Sequence, residues 1–438
     1  MDRQPTNDVL LLPTSDTSDG FRPKGTPLRG GVFVLANTLL GAGMLGLPAA
    51  FADCGYAVGL ALLVYFASLG ALGLTLLAYA ADRAGRPASI YSVAEAALPG
   101  LGVLLDAAIA IKCFGVATSY LIVVGDTLPD AVRAFGGGGL LLERRLWTLV
   151  AVCFAGVLAF FKRISALRYT ALAALACVLA ITVMVVLFAL NDAGVIDAPA
   201  LDPCGQPANG TAANGTDPHG CEGPTAWATD GMATLRALPI FVFAYTCHQN
   251  VISTTNEMAQ PTRGRIARMT TTAVGTALAV YIALACSGYA TFGSKVASDI
   301  LSSYPPASPL VGVARVMIAL VVTCCYPLQA HPSRLSLGSI LKKVLGPARA
   351  PSDAALHWGI TAAFVGASTA IALVVDDLGV VLKVVGATGS TIVSYILPGA
   401  CYFLLYREPH LLRWAALALL VAGAVIMPLS LTLIFLPA

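Results

Sequence analysis

Eleven apolar runs of about twenty residues constrain this sequence more than any other feature. A helix of about 20 apolar residues crosses the roughly 30 Å hydrocarbon core of a bilayer. The composition agrees, because 57% of the residues are hydrophobic and 11% are charged, against about 25% charged in soluble proteins. The sequence therefore predicts an all-α integral membrane protein with about 11 transmembrane helices. The runs lie near residues 31–51, 57–81, 101–124, 146–161, 167–190, 232–255, 270–292, 310–330, 357–375, 380–402 and 414–435.

The distribution of Lys and Arg predicts the orientation in the membrane. With the N-terminus inside, eighteen of the 26 basic residues fall in cytoplasmic segments, four fall on the opposite side and four fall within runs. Basic residues concentrate on the cytoplasmic side of short connections. We therefore expect a cytoplasmic N-terminus and an exoplasmic C-terminus. The net charge of +3 is spread over many loops, so membrane lipid, and not nucleic acid, is the expected partner.

The longest polar connection, residues 191–230, falls on the exoplasmic side in this topology. It contains two glycosylation sequons, at Asn209 and Asn214, and two cysteines, Cys204 and Cys221. Sequons are used on exoplasmic loops, and disulfides form in oxidising compartments. We expect glycosylation at both asparagines and a disulfide between the two cysteines, with two free thiols as the alternative.

The first apolar run is interrupted between Asn37 and Pro48 by three glycines and the proline. Glycine permits unusual backbone angles and proline lacks an N–H, so helical hydrogen bonding should fail here. In a bilayer the freed backbone groups must meet protein, water or a ligand. Free amides at Gly41, Ala42 and Gly43 suit a carboxylate. The alternative is that these small residues only permit close helix packing.

The sixth run has a matching irregularity. It carries Pro239 near its start and then mid-membrane polar residues, which are costly unless they face a cavity. These residues are Thr246, His248, Gln249 and Asn250.

Interruptions at corresponding places in two halves are typical of secondary transporters with a LeuT-like 5+5 inverted repeat. This predicts a cytoplasmic tail (1–30), a first repeat (31–190), an exoplasmic loop (191–230), a second repeat (231–404) and an extra eleventh helix with the C-terminus (405–438). We place Tyr245, Thr246 and Asn250 near the substrate or its gate.

Five ordered motifs on five different runs resemble the amino acid/auxin permease family, in its sodium-coupled neutral amino acid transporter and fungal vacuolar amino acid transporter branches. They are ANTLLGAGMLGLP (36–48), IKCFGVATSYLIVVGD (111–126), YTCHQN (245–250), YPLQAHPSR (326–334) and GATGSTIVSYILP (386–398). The resemblance covers nearly the whole membrane part.

The resemblance implies that an α-amino acid binds at residues 41–43. It also implies a sodium site formed by an asparagine of the first helix and a threonine of the eighth. Asn37 falls on the first position and Thr323 is assigned to the second, although Cys325 could occupy it instead. An amide carbonyl and a hydroxyl are suitable sodium ligands. Hydrogen bonding between helices is the alternative role of Asn37.

Ionisable residues inside the runs are the remaining candidates. Lys112 should lie near mid-membrane, where it either replaces a cation or carries a coupled proton, or else has a structural partner. His248 is a candidate pH switch or a structural histidine. Ser119 and Tyr120 either face the same cavity or pack. Three residues near the ends of runs are expected to extend towards the membrane surface: Arg236, Arg315 and Lys383.

These features predict a secondary active transporter of small neutral amino acids that works by alternating access. There is no P-loop and the five histidines are scattered, so we expect no enzymatic activity, no metal beyond sodium at Asn37 and Thr323, and no cofactor other than a coupling sodium ion or proton. The resemblance suggests a vacuolar or lysosomal membrane, with the plasma membrane second. We expect a monomer that binds an amino acid substrate. The alternative function is an amino acid sensor on an endomembrane.

Overall fold

The computed structural model describes residues 27–100, 102–161, 168–195, 202–204, 221–346 and 349–436. These residues form helices and connections, with no β-strand among them. The α-helices in this part of the chain are α1 Leu28–Leu39, α2 Leu47–Cys54, α3 Tyr56–Ala84, α4 Ile90–Ala97, α5 Gly102–Ala134, α6 Arg144–Ala159, α7 Arg168–Asp192, α8 Gly231–Ala244, α9 His248–Glu257, α10 Arg263–Phe292, α11 Ile300–Ser303, α12 Pro309–Leu345, α13 Asp353–Val374, α14 Leu378–Val385, α15 Leu397–Leu405 and α16 Leu411–Phe435.

Eight helical stretches within the described residues are long and apolar enough to cross a membrane. A ninth candidate is α1 together with residues 42–54, which bend by 46° at their junction. The 16-residue α6 and the pair α8 and α9 occupy the remaining two predicted runs. The prediction of an all-α integral membrane protein is confirmed.

Burial distinguishes the central helices from the peripheral ones. In the most apolar window of α5, 83% of the residues are buried by other parts of the protein, against 22% in α16. Helix α5 packs along α12, whereas α16 packs on α15 and the segment before it. The centre of the molecule therefore lies around α5, and α16 lies at its edge.

Two stretches depart from α-helical geometry near this centre. A 3₁₀ turn, Ala42–Gly46, separates α1 from α2. Two π-helical turns, Gly386–Ser390 and Ile392–Ile396, separate α14 from α15. Gly389 lies against α5, where an added Cβ would come within 2.9 Å of the Cα of Lys112. The absence of a side chain at Gly389 allows the π-helical stretch to pack directly on the α5 backbone.

Residues 221–230 connect several helix ends on one side of the molecule, which we call the loop end. Cys221 is disulfide-bonded to Cys204, with Cα atoms 5.8 Å apart. The Gly223 amide donates to the carbonyl of Phe292, at the end of α10, over 2.9 Å. The Thr229 amide donates to the carbonyl of Cys54, at the end of α2, over 3.2 Å. The loop therefore ties the ends of α2 and α10 together. The sequons at Asn209 and Asn214 lie outside the described residues.

The expectation that Arg315 extends towards the membrane surface is wrong. Its side chain is fully buried and donates to backbone carbonyls, including that of Leu301 at 2.8 Å. Position near the end of a run does not specify which way a side chain faces, and here it faces the protein. Lys383 lies 3.6 Å from a carboxylate oxygen of Asp53.

Candidate functional site

The first helix breaks at Leu40 and Gly41. The Leu40 amide still donates to Ala36 over 2.9 Å, but the Gly41 amide turns back to Leu39 over 2.8 Å. Helical bonding resumes when the Met44 amide donates to Gly41 over 3.2 Å. Within the described chain, no hydrogen bond uses the amides of Ala42 and Gly43. The break therefore leaves two backbone donors at the start of a helical turn. The prediction of a third free amide, at Gly41, is wrong because that amide turns back to the Leu39 carbonyl.

Pro48 does not cause this break. It lies in the first turn of α2, where a missing N–H costs no hydrogen bond and the fixed φ suits the helix. The interruption falls several residues earlier, at the glycines. Pro48 therefore helps the chain to start the second half-helix.

The second broken helix separates α8 from α9 at residues 245–247. The Thr246 amide donates to Phe243 over 3.1 Å, and the Thr246 hydroxyl donates to Val242 over 2.7 Å. Pro239 lies within α8 and not at the break. This interruption contains no glycine, so side chains, unlike at the first break, line the gap.

Tyr281 joins the two breaks. Its hydroxyl lies 2.6 Å from the carbonyl oxygen of Leu39 and 2.8 Å from that of Ala244, the last residues of α1 and α8. A hydroxyl has one proton, which it donates to either oxygen. The side chain is fully buried. Carbonyls at helix ends lack intrahelical partners, so Tyr281 satisfies the open ends of both half-helices.

A small cavity lies beside the two breaks. It encloses about 290 Å³ of empty space, including the part open to solvent. Residues from both broken helices and from α5 and α12 line it: Thr38, Leu39, Gly41, Ala42, Gly43, Lys112, Val116, Tyr120, Phe243, Thr246 and Gln329. The structure thus brings together the predicted residues of the first break, Thr246 and Lys112.

The glycines leave room that side chains would fill. A Cβ at Gly43 would lie 2.7 Å from the ring of Phe243, and a Cβ at Gly41 would lie 3.2 Å from the Tyr120 hydroxyl. At Gly41, φ is −110°, which any residue can adopt. Space, and not backbone strain, is therefore the reason for glycine at this position.

Ser119 and Tyr120 of α5, for which the sequence predicts either a cavity position or packing, have different surroundings. Tyr120 lines the cavity, whereas the Ser119 hydroxyl is buried and donates to the carbonyl of Val116 over 2.8 Å.

Tyr245 and Asn250 lie near the breaks but not on the cavity wall. The Tyr245 ring packs edge-on against Tyr281, with centroids 5.3 Å apart. The Asn250 amide nitrogen donates to the Thr38 hydroxyl over 2.9 Å. Asn250 therefore links α9 to the end of α1.

His248 is fully buried. Its Nε2 lies 2.8 Å from the position of a Cβ at Gly73, so the ring packs tightly against the α3 backbone. Its role as a pH switch stays a prediction.

The three predicted ion-coupling residues occupy different surroundings. Asn37 is 9% exposed on α1. The Thr323 hydroxyl donates within its own helix to Ala319 over 2.6 Å, and no hydrogen bond in the described chain joins it to Asn37. Lys112 is 2% exposed on the cavity wall, and the described residues provide it with no ion pair. The wall itself contains no carboxylate.

Sequence reasoning missed Tyr281 and Gln329. Tyr281 lies in the middle of an apolar run, and a lone hydroxyl at that depth needs a partner. That signal points to a buried contact without specifying which helices supply it. Gln329 lies inside the YPLQAHPSR motif, but the motif did not predict that its side chain lines the cavity.

Comparison with known proteins identifies the family. Residues 24–436 match the family described as transmembrane amino acid transporter protein. The chain is 34% identical over 374 residues to vacuolar amino acid transporter 5 of Schizosaccharomyces pombe, covering 85% of this chain and 83% of the relative. It is 31% identical over 459 residues to vacuolar amino acid transporter 6 of Saccharomyces cerevisiae, covering 92% and 98%.

A mammalian relative is more distant. Sodium-coupled neutral amino acid transporter 7 of Mus musculus is 27% identical over 420 residues, covering 91% of this chain and 84% of the relative. The predicted resemblance is confirmed, and so is the prediction that the chain is not an enzyme, because the family and these relatives are transporters. The chain belongs to the family of transmembrane amino acid transporter proteins.

Proposed function

We propose that this protein moves small neutral amino acids across a membrane by alternating access, coupled to a proton or sodium gradient. One observation carries the proposal: both broken helices end beside one cavity, and its wall includes Ala42 and Gly43, whose amides have no hydrogen-bond partner in the described chain. The names of the relatives support amino acids as the substrate class.

The α-carboxylate of the substrate binds the two amides in this proposal. A helical N-terminus carries partial positive charge and open N–H groups, which suit an anion. Thr246 places a hydroxyl on the opposite broken helix.

Alternating access follows from the two inverted repeats, residues 31–190 and 231–404, rocking around this cavity. The membrane is vacuolar or lysosomal in this proposal, with the plasma membrane second, in keeping with the names of the fungal relatives. The N-terminus is cytoplasmic and the loop end is exoplasmic, in keeping with the eighteen-to-four distribution of basic residues. The protein works as a monomer.

Replacing Gly43 with leucine tests the binding site. A Cβ at this position already comes within 2.7 Å of the Phe243 ring, so the larger side chain fills the cavity beside the amides. We expect Gly43→Leu to lose uptake of radiolabelled amino acids into proteoliposomes and to keep a wild-type elution profile in detergent. Gly366→Leu is the matched control, since Gly366 is exposed on α13 with nothing within 4 Å of its Cβ position. Normal uptake by Gly43→Leu would contradict the assignment.

Ion replacement identifies the coupling ion. Lys112 is the candidate for proton coupling, and Asn37 with Thr323 for sodium coupling. Uptake is measured with sodium replaced by choline, with and without an imposed pH gradient. If protons drive transport through Lys112, uptake persists in choline, and Lys112→Met loses its response to the pH gradient. An absolute sodium requirement would instead favour Asn37 and Thr323.

A further inference from the structure

The connection between α10 and α12 covers the loop-end side of the first break. Residues 296–304, which include α11, pack against the 3₁₀ turn Ala42–Gly46 and against α5 and α12. The Ser298 carbonyl oxygen lies 3.5 Å from the position of a Cβ at Gly46. The Ile300 side chain is fully buried and fills the space beside Gly288. The 296–304 segment therefore lies between the broken helix and the loop end.

Arg315 holds this segment to α12. Its guanidinium donates to the carbonyl oxygens of Leu301 and Tyr304 at 2.8 and 2.9 Å, and to those of Pro305 and Pro306 at 3.3 and 3.4 Å. These four acceptors all lie within residues 301–306, directly after Asp299. Most of the donors of this buried arginine are thus committed to the segment itself.

Asp299 begins the helical turn within the segment and is only 4% exposed. Its Oδ1 accepts from the Leu301 amide at 2.9 Å, whereas its buried Oδ2 has no hydrogen-bond partner among the described residues. The charged groups that act on it are Asp126 of α5 and Arg315 of α12. Asp130 of α5 lies beyond them, 3.8 Å from the Arg315 guanidinium.

We propose that Asp299 is a proton-binding site at the loop end, whose neutral form seals the 296–304 segment over the substrate cavity and whose ionised form loosens it. The cavity's role rests on the proposed function. A buried carboxylate with an unpaired oxygen is costly when ionised, and Asp126 adds like-charge repulsion. Opening the segment to water removes both costs.

The buried surroundings of the Asp299 carboxyl bring its pKa close to neutral pH. Asp299 lies outside the membrane-spanning helices, between Lys295 and Pro309. The pKa of Asp299 is raised from 3.8 to about 7, mainly by burial and also by Asp126, against the opposing effects of the Leu301 amide and Arg315. Because the folded-state pKa is raised, the stabilising effect of the proton is complete below 3.8 and is lost as pH rises through about 7.

Asp299→Asn mimics the neutral carboxyl and keeps a helix-capping side chain. Asp230→Asn is the matched control, because Asp230 also caps a helix at the loop end but is exposed. The first measurement is the melting temperature of the purified protein in detergent. Relative to Asp299→Asn, the wild type should lose melting temperature as pH rises from 3.8 to about 7. Asp230→Asn should follow the wild type.

The second measurement reports the seal. Ser298 lies within the segment and is half-buried, so a Ser298→Cys thiol reacts faster with a maleimide when the segment opens. Maleimide reacts with the thiolate, whose fraction rises with pH in every variant. Labelling, corrected for the protein without this cysteine, is therefore divided by the labelling in the Asp299→Asn background at the same pH. This ratio should rise about threefold or more across the same pH range.

Parallel pH profiles for wild type and Asp299→Asn in either measurement overturn the proposal. Neither readout requires a substrate. Failure here is thus distinguishable from failure of transport, which the Gly43→Leu uptake assay decides separately.

Discussion

The two broken helices solve the same problem with different chemistry. At the first break two glycines omit their side chains, and Ala42 and Gly43 on the cavity wall have amides without a hydrogen-bond partner in the described chain. At the second break the chain keeps its side chains, and Thr246 contributes a hydroxyl. The first break thus suits a charged carboxylate group, and the second suits a neutral polar contact.

The two breaks also differ in how they are held. Asn250, just beyond the second break, reaches across to Thr38, just before the first. Ser394 of the π-helical stretch donates to Thr246 over 3.0 Å. The Tyr281 hydroxyl lies within hydrogen-bonding distance of both breaks, at the carbonyls of Leu39 and Ala244. Removing each of these contacts measures how far the breaks depend on one another.

Tyr281→Phe should have the largest effect. It removes the hydroxyl near both helix-end carbonyls. Leu39 keeps the Gly41 amide as a donor, whereas the Ala244 carbonyl loses its partner in the described structure, at about 1–3 kcal/mol for a buried unsatisfied group. We expect uptake to fall by about tenfold or more, since about 1.4 kcal/mol corresponds to a factor of ten. The melting temperature should fall as well.

Tyr289→Phe is the control for this substitution. The Tyr289 hydroxyl accepts from the Ala226 amide at the loop end, over 2.8 Å. The same tyrosine-to-phenylalanine change there removes a hydrogen bond to the backbone that involves neither break. Tyr289→Phe should lower the stability of the protein and preserve uptake. Equal losses of uptake in the two variants would show that Tyr281 acts through general stability alone.

A double-mutant cycle on Thr38 and Asn250 measures the direct link between the breaks. The Thr38 hydroxyl donates to Val34 at 2.8 Å and accepts from the Asn250 amide at 2.9 Å. We expect Thr38→Val and Asn250→Ala to couple by about 1 kcal/mol, or about fivefold in uptake. Thr38→Ser keeps the hydroxyl and should transport normally. Fully additive effects would mean that the hydrogen bond does not contribute to transport.

The comparison of the two breaks also shows which of their features could be predicted from the sequence. The glycines at 41, 43 and 46 are a local signal, because a missing side chain affects the backbone at its own position. They predicted the break and free amides at residues 41–43, of which the Gly41 amide is instead bonded to the Leu39 carbonyl. The polar residues from Thr246 to Asn250 predicted a second irregularity, because polar groups in a bilayer need a cavity or partners.

Contacts between distant helices could not be predicted in this way. Tyr281 meets Leu39 and Ala244 across separations of 242 and 37 residues. Arg315 turns inward because the carbonyls after Asp299 surround it, which its place in the run does not reveal. The two prolines misled for a related reason: Pro48 lies in a first turn and Pro239 within a helix, so neither marks a break.

Ser394→Ala should have the smallest effect of the three. The Ser394 hydroxyl donates to Thr246, whose own proton already goes to Val242 at 2.7 Å. Its loss leaves Thr246 oriented by the helix, and a neutral hydrogen bond contributes about 0.5–1.5 kcal/mol. We therefore expect uptake by Ser394→Ala to fall by about threefold at most. Uptake by Thr246→Val, which removes the hydroxyl from the cavity wall, should fall further. If Ser394→Ala instead matched Tyr281→Phe, the second break would depend on the π-helical stretch for its shape, and the two breaks would not share one support.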